Sequence, residues 1–328
     1  MKQSAVVSYR IRLARNLSGM PFPGAMSNQD KNRMIQNLGS FLVGTAGKSE
    51  FTCLMLDQEN RVAARALMEK HRISPEFAGQ DSPHAVVLSK DDTVSVMLGE
   101  EDSLRIQAFG GNLSECYQTA HRVEVLIDER FPLAFSEKLG FLTACPTNLG
   151  TGLRASALMH LPGLTESQAM RNLIQQASSA GLTIRGFYGE GTQAAWGYYQ
   201  ISNSVTLGLS EQEIIQALTD IAEQIDNYEG QARENIRRND PKGFEDRLYR
   251  AYGLLTNARR ISTNEAMESL SVLRMGIEEF PHIGIRDLDT LSGDIWPGAL
   301  TEKYNLPDNG YLRDEKRAEL LRESLVIK

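Results

Sequence analysis

The chain has 328 residues, 41% of them apolar and 23% charged, with a formal net charge of -7. That length supports a sizeable core and, at about 150 residues per domain, two domains; the composition is that of an ordinary soluble protein, and the negative balance argues against general affinity for nucleic acid or an anionic membrane. Cys53, Cys116 and Cys145 are unclustered and suggest neither a disulfide framework nor a thiolate zinc site, and with no signal-like or membrane-length apolar run the expected location is cytoplasmic.

The first element is VVSYRIRLARN, residues 6–16. Val7, Tyr9, Ile11 and Leu13 alternate as one face of a strand, which gathers Ser8, Arg10 and Arg12 on the other. Two arginines on one face repel unless an anion lies between them; a solvated basic edge is the bland alternative. Residues 28–47 have helical spacing through Met34, Leu38 and Phe41. Residues 51–56 read as a buried strand and 61–70 as a helix ending near His71, with Pro75 as its terminator. Residues 85–88, 94–98 and 104–109 form three short apolar runs of an antiparallel meander.

Between the last two runs lies GEED, residues 99–102. Consecutive acids at a corner are either a solvated hairpin tip or a seat for a cation whose proton they accept. Residues 112–131 read as a helix. The stretch CPTNLGTGLRASALM, residues 145–159, then joins a Cys-Pro turn and two nearby glycines to an apolar run opened by Arg154. Its glycines predict close approach of a ligand to the backbone, and Arg154 suits a phosphate or carboxylate. Thr165 and Gln168 read as a capping box for a helix carrying Met170, Leu173, Ile174 and Ala177, ended by Gly181. Residues 182–184 form a strand delivering RGFYGEG, and residues 200–209 a further strand turning near Asn203. From Ser210, whose partner Glu213 completes a capping box, the texture is helical: Ile214, Leu218, Ile221, Ile225 and Tyr228 keep one face. Residues 244–256 and a segment opened by Ser262 and Glu265 continue it. Residues 281–310 read as irregular, and RDEKRAELLRESL closes the chain as a helix.

Arg10 with Arg12, Arg105, Arg154 and Arg185 stand on four separate segments. Gathered by the fold, they would require a polyanion, and a nucleoside triphosphate is the natural one. Neither a GxxxxGK[ST] loop nor the HRD and DFG signals of hydroxyl-directed kinases is present.

VVSYRIRLARN, GEEDSLRIQ, CPTNLGTGLRAS and RGFYGEG, in this order, resemble the ATP:guanido phosphotransferases, whose small-molecule members phosphorylate creatine or arginine. MEKHRISP (68–75), YGEGTQA (188–194), QISNSVTLG (200–208) and RDEKRA (313–318) are similar to the bacterial protein-arginine kinase branch. The resemblance spans nearly the whole chain. It implies an α+β fold: a catalytic domain over residues 1–210, with an antiparallel sheet flanked by helices, and a helical C-terminal domain over 211–328 for dimerisation and phosphoarginine sensing.

The implied activity is ATP-dependent phosphorylation of arginine side chains in proteins during a stress response, marking them for a Clp-type AAA+ unfoldase and inactivating a heat-shock repressor. A zinc-binding activator and a homodimer are further implied partners, with neither nucleic acid nor membrane among them. The resemblance assigns ATP to Ser8, Tyr9, Arg10, Ile11, Arg12, His71, Arg105, Arg154, Ala155, Ser156, Ala157, Leu158, Arg185, Gly186, Phe187, Tyr188, Gly189 and Glu190. Glu101 matches the base, with Asp102 and Arg105 completing the catalytic group. Arg65 and Cys145 match positions beside the substrate guanidinium, where neighbouring cations would lower the thiol pKa and make activity oxidation-sensitive. Arg313, Asp314 and Arg317 match a phosphoarginine pocket; taken alone, Asp314 reads as a helix N-cap and the arginines as solvated. Mg²⁺ is expected with the nucleotide, without direct protein ligands.

The chain departs from the family's NEEDH pattern at Gly99 and Ser103, and carries Tyr9 where Ser is usual. It also begins close to the first motif, which implies that the small helical domain of creatine-type kinases is absent, in keeping with a protein acceptor. A kinase for free arginine and a catalytically silent phosphoarginine-binding adaptor are the alternatives. Retention of Glu101 and the site arginines argues against the adaptor.

Overall fold

The computed structural model describes residues 4–45, 51–187 and 194–325. Its strands are β1 (Val6–Arg15), β2 (Phe51–Met55), β3 (Ala85–Ser89), β4 (Val94–Leu98), β5 (Leu104–Gly110), a ribbon of β6 (Phe135–Ser136) and β7 (Gly140–Phe141), β8 (Leu153–His160), β9 (Leu182–Gly186) and β10 (Tyr198–Asn203). All but the ribbon join one antiparallel sheet in the order β2-β3-β4-β5-β1-β8-β10-β9. β1 is therefore central although it is first in sequence.

Period-two alternation gives this sheet two unlike faces. Ile11 and Leu13, with Leu104, Ile106, Ala108, Leu153, Ala155, Ala157 and Ile201, are buried in one core. Helices α1 (Asn28–Thr45), α4 (Leu113–Asp128) and α6 (Met170–Ser179) contribute Leu38, Ala120 and Ala177 to the same core. The opposite face carries the arginines.

Helices α2 (Arg61–Glu69) and α3 (Pro75–Ala78) pack Ala64 and Phe77 against Val86 and Met97 in a small second cluster. A short helix α5 (Pro162–Glu166) precedes α6. Helix α7 (Glu211–Asn239) opens on the complete Ser210–Glu213 capping box and sends Ile214, Leu218, Ala222 and Ile225 into the core beneath the sheet. A separate core then joins α8 (Pro241–Asn257), α9 (Thr263–Met275), α10 (Ile285–Asp294) and α12 (Gly310–Leu325) through residues such as Leu248, Leu270, Leu288 and Leu321, while α11 (Pro297–Tyr304) starts against Glu69 of α2. No helix among the described residues is long and apolar enough to cross a membrane.

Several local expectations are corrected. The run 51–56 is not a buried strand: β2 is the sheet edge and its residues are exposed or half-buried up to Met55. Pro75 does not end α2; it occupies the first turn of α3, where its missing N–H costs no helical bond, while His71 leaves the helical region at φ +56°. Thr165 and Gln168 form no capping box, because the Thr165 hydroxyl already donates to Leu161 O within α5 and Gln168 turns at φ +59°. The strand expected over 200–209 is β10 and stops at Asn203. Residues 281–310 are not irregular: they hold α10 and α11, the latter started by Pro297. Ser262 does cap its helix, accepting from Glu265 N at 3.2 Å.

Candidate active site

Strand register brings the cationic face together. Arg12 lies opposite Arg154 across β1 and β8; Arg10 lies opposite Ser156 on one side and Phe109 on the other. Arg105 pairs with Ala14, two residues beyond Arg12 on the same face, and Arg185 enters from β9 opposite Gln200. The electrostatics record the crowding. Burial first, then Arg154, Arg105 and Arg72, pull the Arg10 guanidinium down to about 10. Burial, Arg10, Arg154 and Arg105 hold Arg12 well below its ordinary value against Glu100, and burial, Arg185 and Arg105 lower Arg154. Such a group destabilises the empty site and rewards a polyanion.

Hydrogen bonds fix these side chains. Arg154 Nη2 donates to Ser202 Oγ at 3.0 Å, while its buried Nε has no protein partner. Arg105 makes a two-point ion pair with Glu100, Nη2 to Oε2 being 2.6 Å, and Ser74 Oγ donates to Glu100 Oε1 at 2.9 Å. Glu100 is therefore committed to positioning Arg105.

The next two acids have opposite environments. Glu101 is exposed, and its pKa is raised by desolvation, then by Asp102, with Arg105 opposing and Glu100 adding to the rise. Asp102 is buried, its Oδ1 accepting from Asn16 Nδ2 at 2.6 Å and from Ala144 N at 2.7 Å. Asn16 Oδ1 in turn accepts from Ser103 N at 2.8 Å and Ser103 Oγ at 3.1 Å. Ser103 thus has a defined place where the family pattern has His. Gly99 sits at φ +81°, the left-handed region in which Gly and Asn are the residues best tolerated, so the Gly-for-Asn departure preserves the corner.

Glu100, Glu101, Arg105 and Ala144 share a recess of about 870 Å³ with Glu76, Lys31 and the lip residues Phe22 and Met26. Cys145 follows Ala144 directly; its Sγ lies 2.9 Å from Thr147 Oγ1. Arg65 is not in this recess. It pairs with Glu69 at 3.0 Å, and Glu69 Oε2 accepts from Gly298 N and Ala299 N at the start of α11.

The glycines after Cys145 do different work from that expected. A Cβ on Gly150 (φ +102°) would stand 2.4 Å from Thr206 O, and one on Gly152 (φ +58°) 2.5 Å from Arg15 Nη1. They admit neighbouring protein, not a ligand. Arg15 is buried beneath them, paired with Glu124, donating to Thr151 O at 3.0 Å and lying 3.5 Å from the Phe141 ring centre.

A second cleft, of about 710 Å³, continues from Arg10 past Ser8, His71, Arg72, Ser156, Leu158, Phe187 and Gln200. The His71 and Phe187 rings stand 3.9 Å apart, and burial, then Arg10 and Arg72, hold His71 down to about 3. Arg72 grips Asp92 with two bonds of 3.1 and 2.9 Å and covers Phe109. Tyr9, Ile11, Ala155 and Ala157 belong to the opposite, core-facing side of their strands, so they shape the site through the backbone. Gly186 ends β9, while Tyr188, Gly189 and Glu190 lie outside the described residues.

At the start of α12, Arg313 donates to Asp308 Oδ1 at 2.7 Å. Arg317 is buried, donating to Ile295 O at 2.7 Å and Ile261 O at 2.8 Å as well as to Asp314. Asp314 lies inside α12 and is not its N-cap.

Asn16, Gln107, Ser202 and Arg72 were not singled out by sequence. Gln107 and Ser202 follow from strand parity once pairing is known, and Asn16 closes the motif 6–16, but nothing local marks it as the holder of Asp102. Gln107 Nε2 donates to Arg72 O at 2.7 Å, which ties the His71 turn to the arginine face.

Comparison with known proteins gives the family. Residues 33–232 match the ATP:guanido phosphotransferase C-terminal catalytic domain, and residues 241–328 match the protein-arginine kinase McsB C-terminal domain. The chain is 43% identical to the protein-arginine kinase of Symbiobacterium thermophilum, over 98% of this chain and 93% of that protein. It is 40% identical to that of Caldanaerobacter subterraneus subsp. tengcongensis, over 98% and 97%. Among solved structures, a duplicated taurocyamine kinase from Schistosoma mansoni with bound transition state analog components matches with TM-score 0.60 and 29% identity, covering 69% of this chain and 33% of that one. Lombricine kinase matches with TM-score 0.60 and 26% identity, covering 68% and 66%.

Proposed function

The chain belongs to the ATP:guanido phosphotransferases and, within them, to the protein-arginine kinases, and from that premise we propose which of its residues carry the transfer from ATP to arginine side chains of proteins. Arg10, Arg12, Arg105, Arg154 and Arg185 hold the triphosphate. Glu101 faces the acceptor recess, orients the incoming guanidinium and takes its proton. A new N–P bond forms as the bond from the γ-phosphorus to the β,γ-bridging oxygen breaks, leaving ADP. Mg²⁺ would be carried on the nucleotide's own phosphates, beside the arginine cluster. When bound there, it supplies further charge neutralisation.

The observation that carries this assignment is the shared border of the two compartments. Arg105 stands in the arginine cluster and also lines the recess that holds Glu101. The reading is tested by incubating the protein with ATP and Mg²⁺ and offering casein and free arginine side by side, with Glu101→Ala as control. Mass spectrometry should find phosphoarginine on casein, absent with the variant; transfer to free arginine alone would overturn the protein-acceptor assignment.

We further propose that Arg313 and Asp314 receive phosphoarginine. Arg313's present partner, Asp308, is 93% exposed and readily displaced, while Arg317 staples the pocket's backbone. Kinship with protein-arginine kinases supports a homodimer, a zinc-binding activator, a Clp-type unfoldase and a heat-shock repressor as partners, in a cytoplasmic stress response. Arg65 and Cys145 are proposed to border the acceptor only at a distance, through α2 and the loop after Ala144.

A further inference from the structure

The cleft that runs from Arg10 past His71 and Phe187 has two walls. One is the arginine-bearing sheet face. The other is α10, which contributes Arg286, Asp289, Thr290 and Gly293. These four keep the i, i+3, i+4, i+7 spacing of one helix face, and Ser292 and Asp294 beside them also line the cleft, so α10 turns most of its last two turns towards it. This helix lies in the segment 241–328, outside the residues that match the catalytic domain.

α10 is anchored at both rims of the cleft. Tyr198 of β10 bonds Ser292, Arg274 of α9 holds Asp289 through bonds of 2.6 and 3.1 Å, and Lys70 at the end of α2 lies 3.7 Å from Asp294. The helix thus spans the cleft as a fixed bridge. Within its stripe, Arg286 is exposed with no ion pair or hydrogen bond among the described residues, and a Cβ on Gly293 would meet nothing within 4 Å. The other arginines of the phosphate cluster, Arg12, Arg105, Arg154 and Arg185, do not line this cleft. Its shared aromatic residues, His71 and Phe187, suit a base.

We propose that α10 is the outer wall of the nucleoside half of the ATP site, with Arg286, Thr290 and Gly293 facing the base and ribose. The proposal rests on the nucleotide assignment made above. Nucleotide recognition then depends on a helix from outside the catalytic domain, and the arginine cluster alone binds only the phosphate chain.

Gly293→Phe tests this in the full-length protein, since Gly293 lies in the last turn of α10 without a positive φ and with open space at its Cβ, so a side chain is accommodated while the ring fills the cleft. Arg286→Glu is the second variant, at an exposed position without partners. ADP and inorganic tripolyphosphate are the two probes, titrated by calorimetry alongside melting temperature. Gly293→Phe should weaken ADP at least about tenfold and Arg286→Glu about threefold or more, with tripolyphosphate affinity changed less than about twofold. ADP affinity within twofold of the parent in both folded variants would overturn the proposal, as would equal losses for ADP and tripolyphosphate. Failure of the parent protein to bind either probe would instead bring down the nucleotide assignment, and this proposal with it.

Discussion

Asn16 and Asp102 stand 86 positions apart in sequence and 2.6 Å apart in the fold, joined by a buried hydrogen bond from Asn16 Nδ2 to Asp102 Oδ1. Through it the central strand β1 fixes the corner that presents Glu101. The same carboxylate oxygen accepts from Ala144 N, so the acid corner and the Cys145 loop share one anchor. Asn16→Ala leaves buried donors and acceptors without partners, a loss of about 1–3 kcal/mol. Urea denaturation should register it, and kcat should fall while ADP affinity stays near that of the parent. A variant of parental stability and turnover would refute the anchoring role.

Glu101 is the proposed base, and its raised pKa has a sign. The carboxylate must be ionised to accept a proton, so its acid limb should lie above that of an ordinary glutamate, and activity should decline as pH falls through that limb. Glu101→Gln should lower kcat about 10²–10⁴-fold with little effect on melting, since the side chain is exposed. A profile with no acid limb would count against this role.

Loop glycines can be ranked by what surrounds them. Gly152→Ala places a Cβ 2.5 Å from the buried Arg15 guanidinium and 2.8 Å from Ala14 O in a left-handed backbone, and should destabilise by about 2 kcal/mol or more. Gly19→Ala has a similar φ of +73° but open space around it and should cost only about 1 kcal/mol. Denaturation midpoints compare the two directly; equal losses would show that φ alone governs both sites.

Two histidines predict acid sensitivity of the fold itself. Burial, with Arg10 and Arg72, holds His71 to about 3 against an ordinary 6.5, and burial, Arg274 and Arg233 hold His160 well below that value. Between those limits the unfolded chain binds more protons than the folded one, so their contribution is full above pH 6.5 and is lost as pH falls. His71→Gln should flatten the decline between about pH 7.5 and 5; an unchanged slope would exclude His71 as a source.

The three thiols should react unequally. Burial pushes Cys116 up to about 12 and raises Cys53, whereas Cys145 is half-exposed beside the acceptor recess. Limited alkylation should modify Cys145 first and suppress transfer to a protein acceptor, and Cys145→Ser should be resistant. Full activity after complete modification of Cys145 would refute the placement.

What could be read without coordinates was what periodicity and capping encode. Parity along β1 separated Arg10 and Arg12 from Ile11 and Leu13, and Ser210 with Glu213 announced α7. Parity says nothing about sheet order, so the edge position of β2 stayed hidden, as did the alignment of Ser202 and Gln107 with the arginines. The glycines at 150 and 152 were visible, but their reason was not: Thr206 and Arg15, the groups they admit, are remote in sequence. Glu101 and Asp102 look alike as letters, and only the fold makes one solvent-facing and the other a buried acceptor. α10 was missed although Leu288, Leu291 and Ile295 keep helical spacing and are buried in the C-terminal core, because Gly284, Gly293 and Pro297 cut that pattern to a short run.

The central place of β1 also bears on synthesis. Its neighbours β5 and β8 begin about ninety and about a hundred and forty residues later, so while the chain is being made β1 can pair with neither until long after it has emerged. Assembly of the sheet is governed by these distant contacts and should be slow for the chain's size. During that wait an unpaired strand offers Ile11 and Leu13 to any passing partner. Arg10 and Arg12 repel a second copy of the same strand, so charges proposed to serve the nucleotide also guard the nascent chain against aggregation.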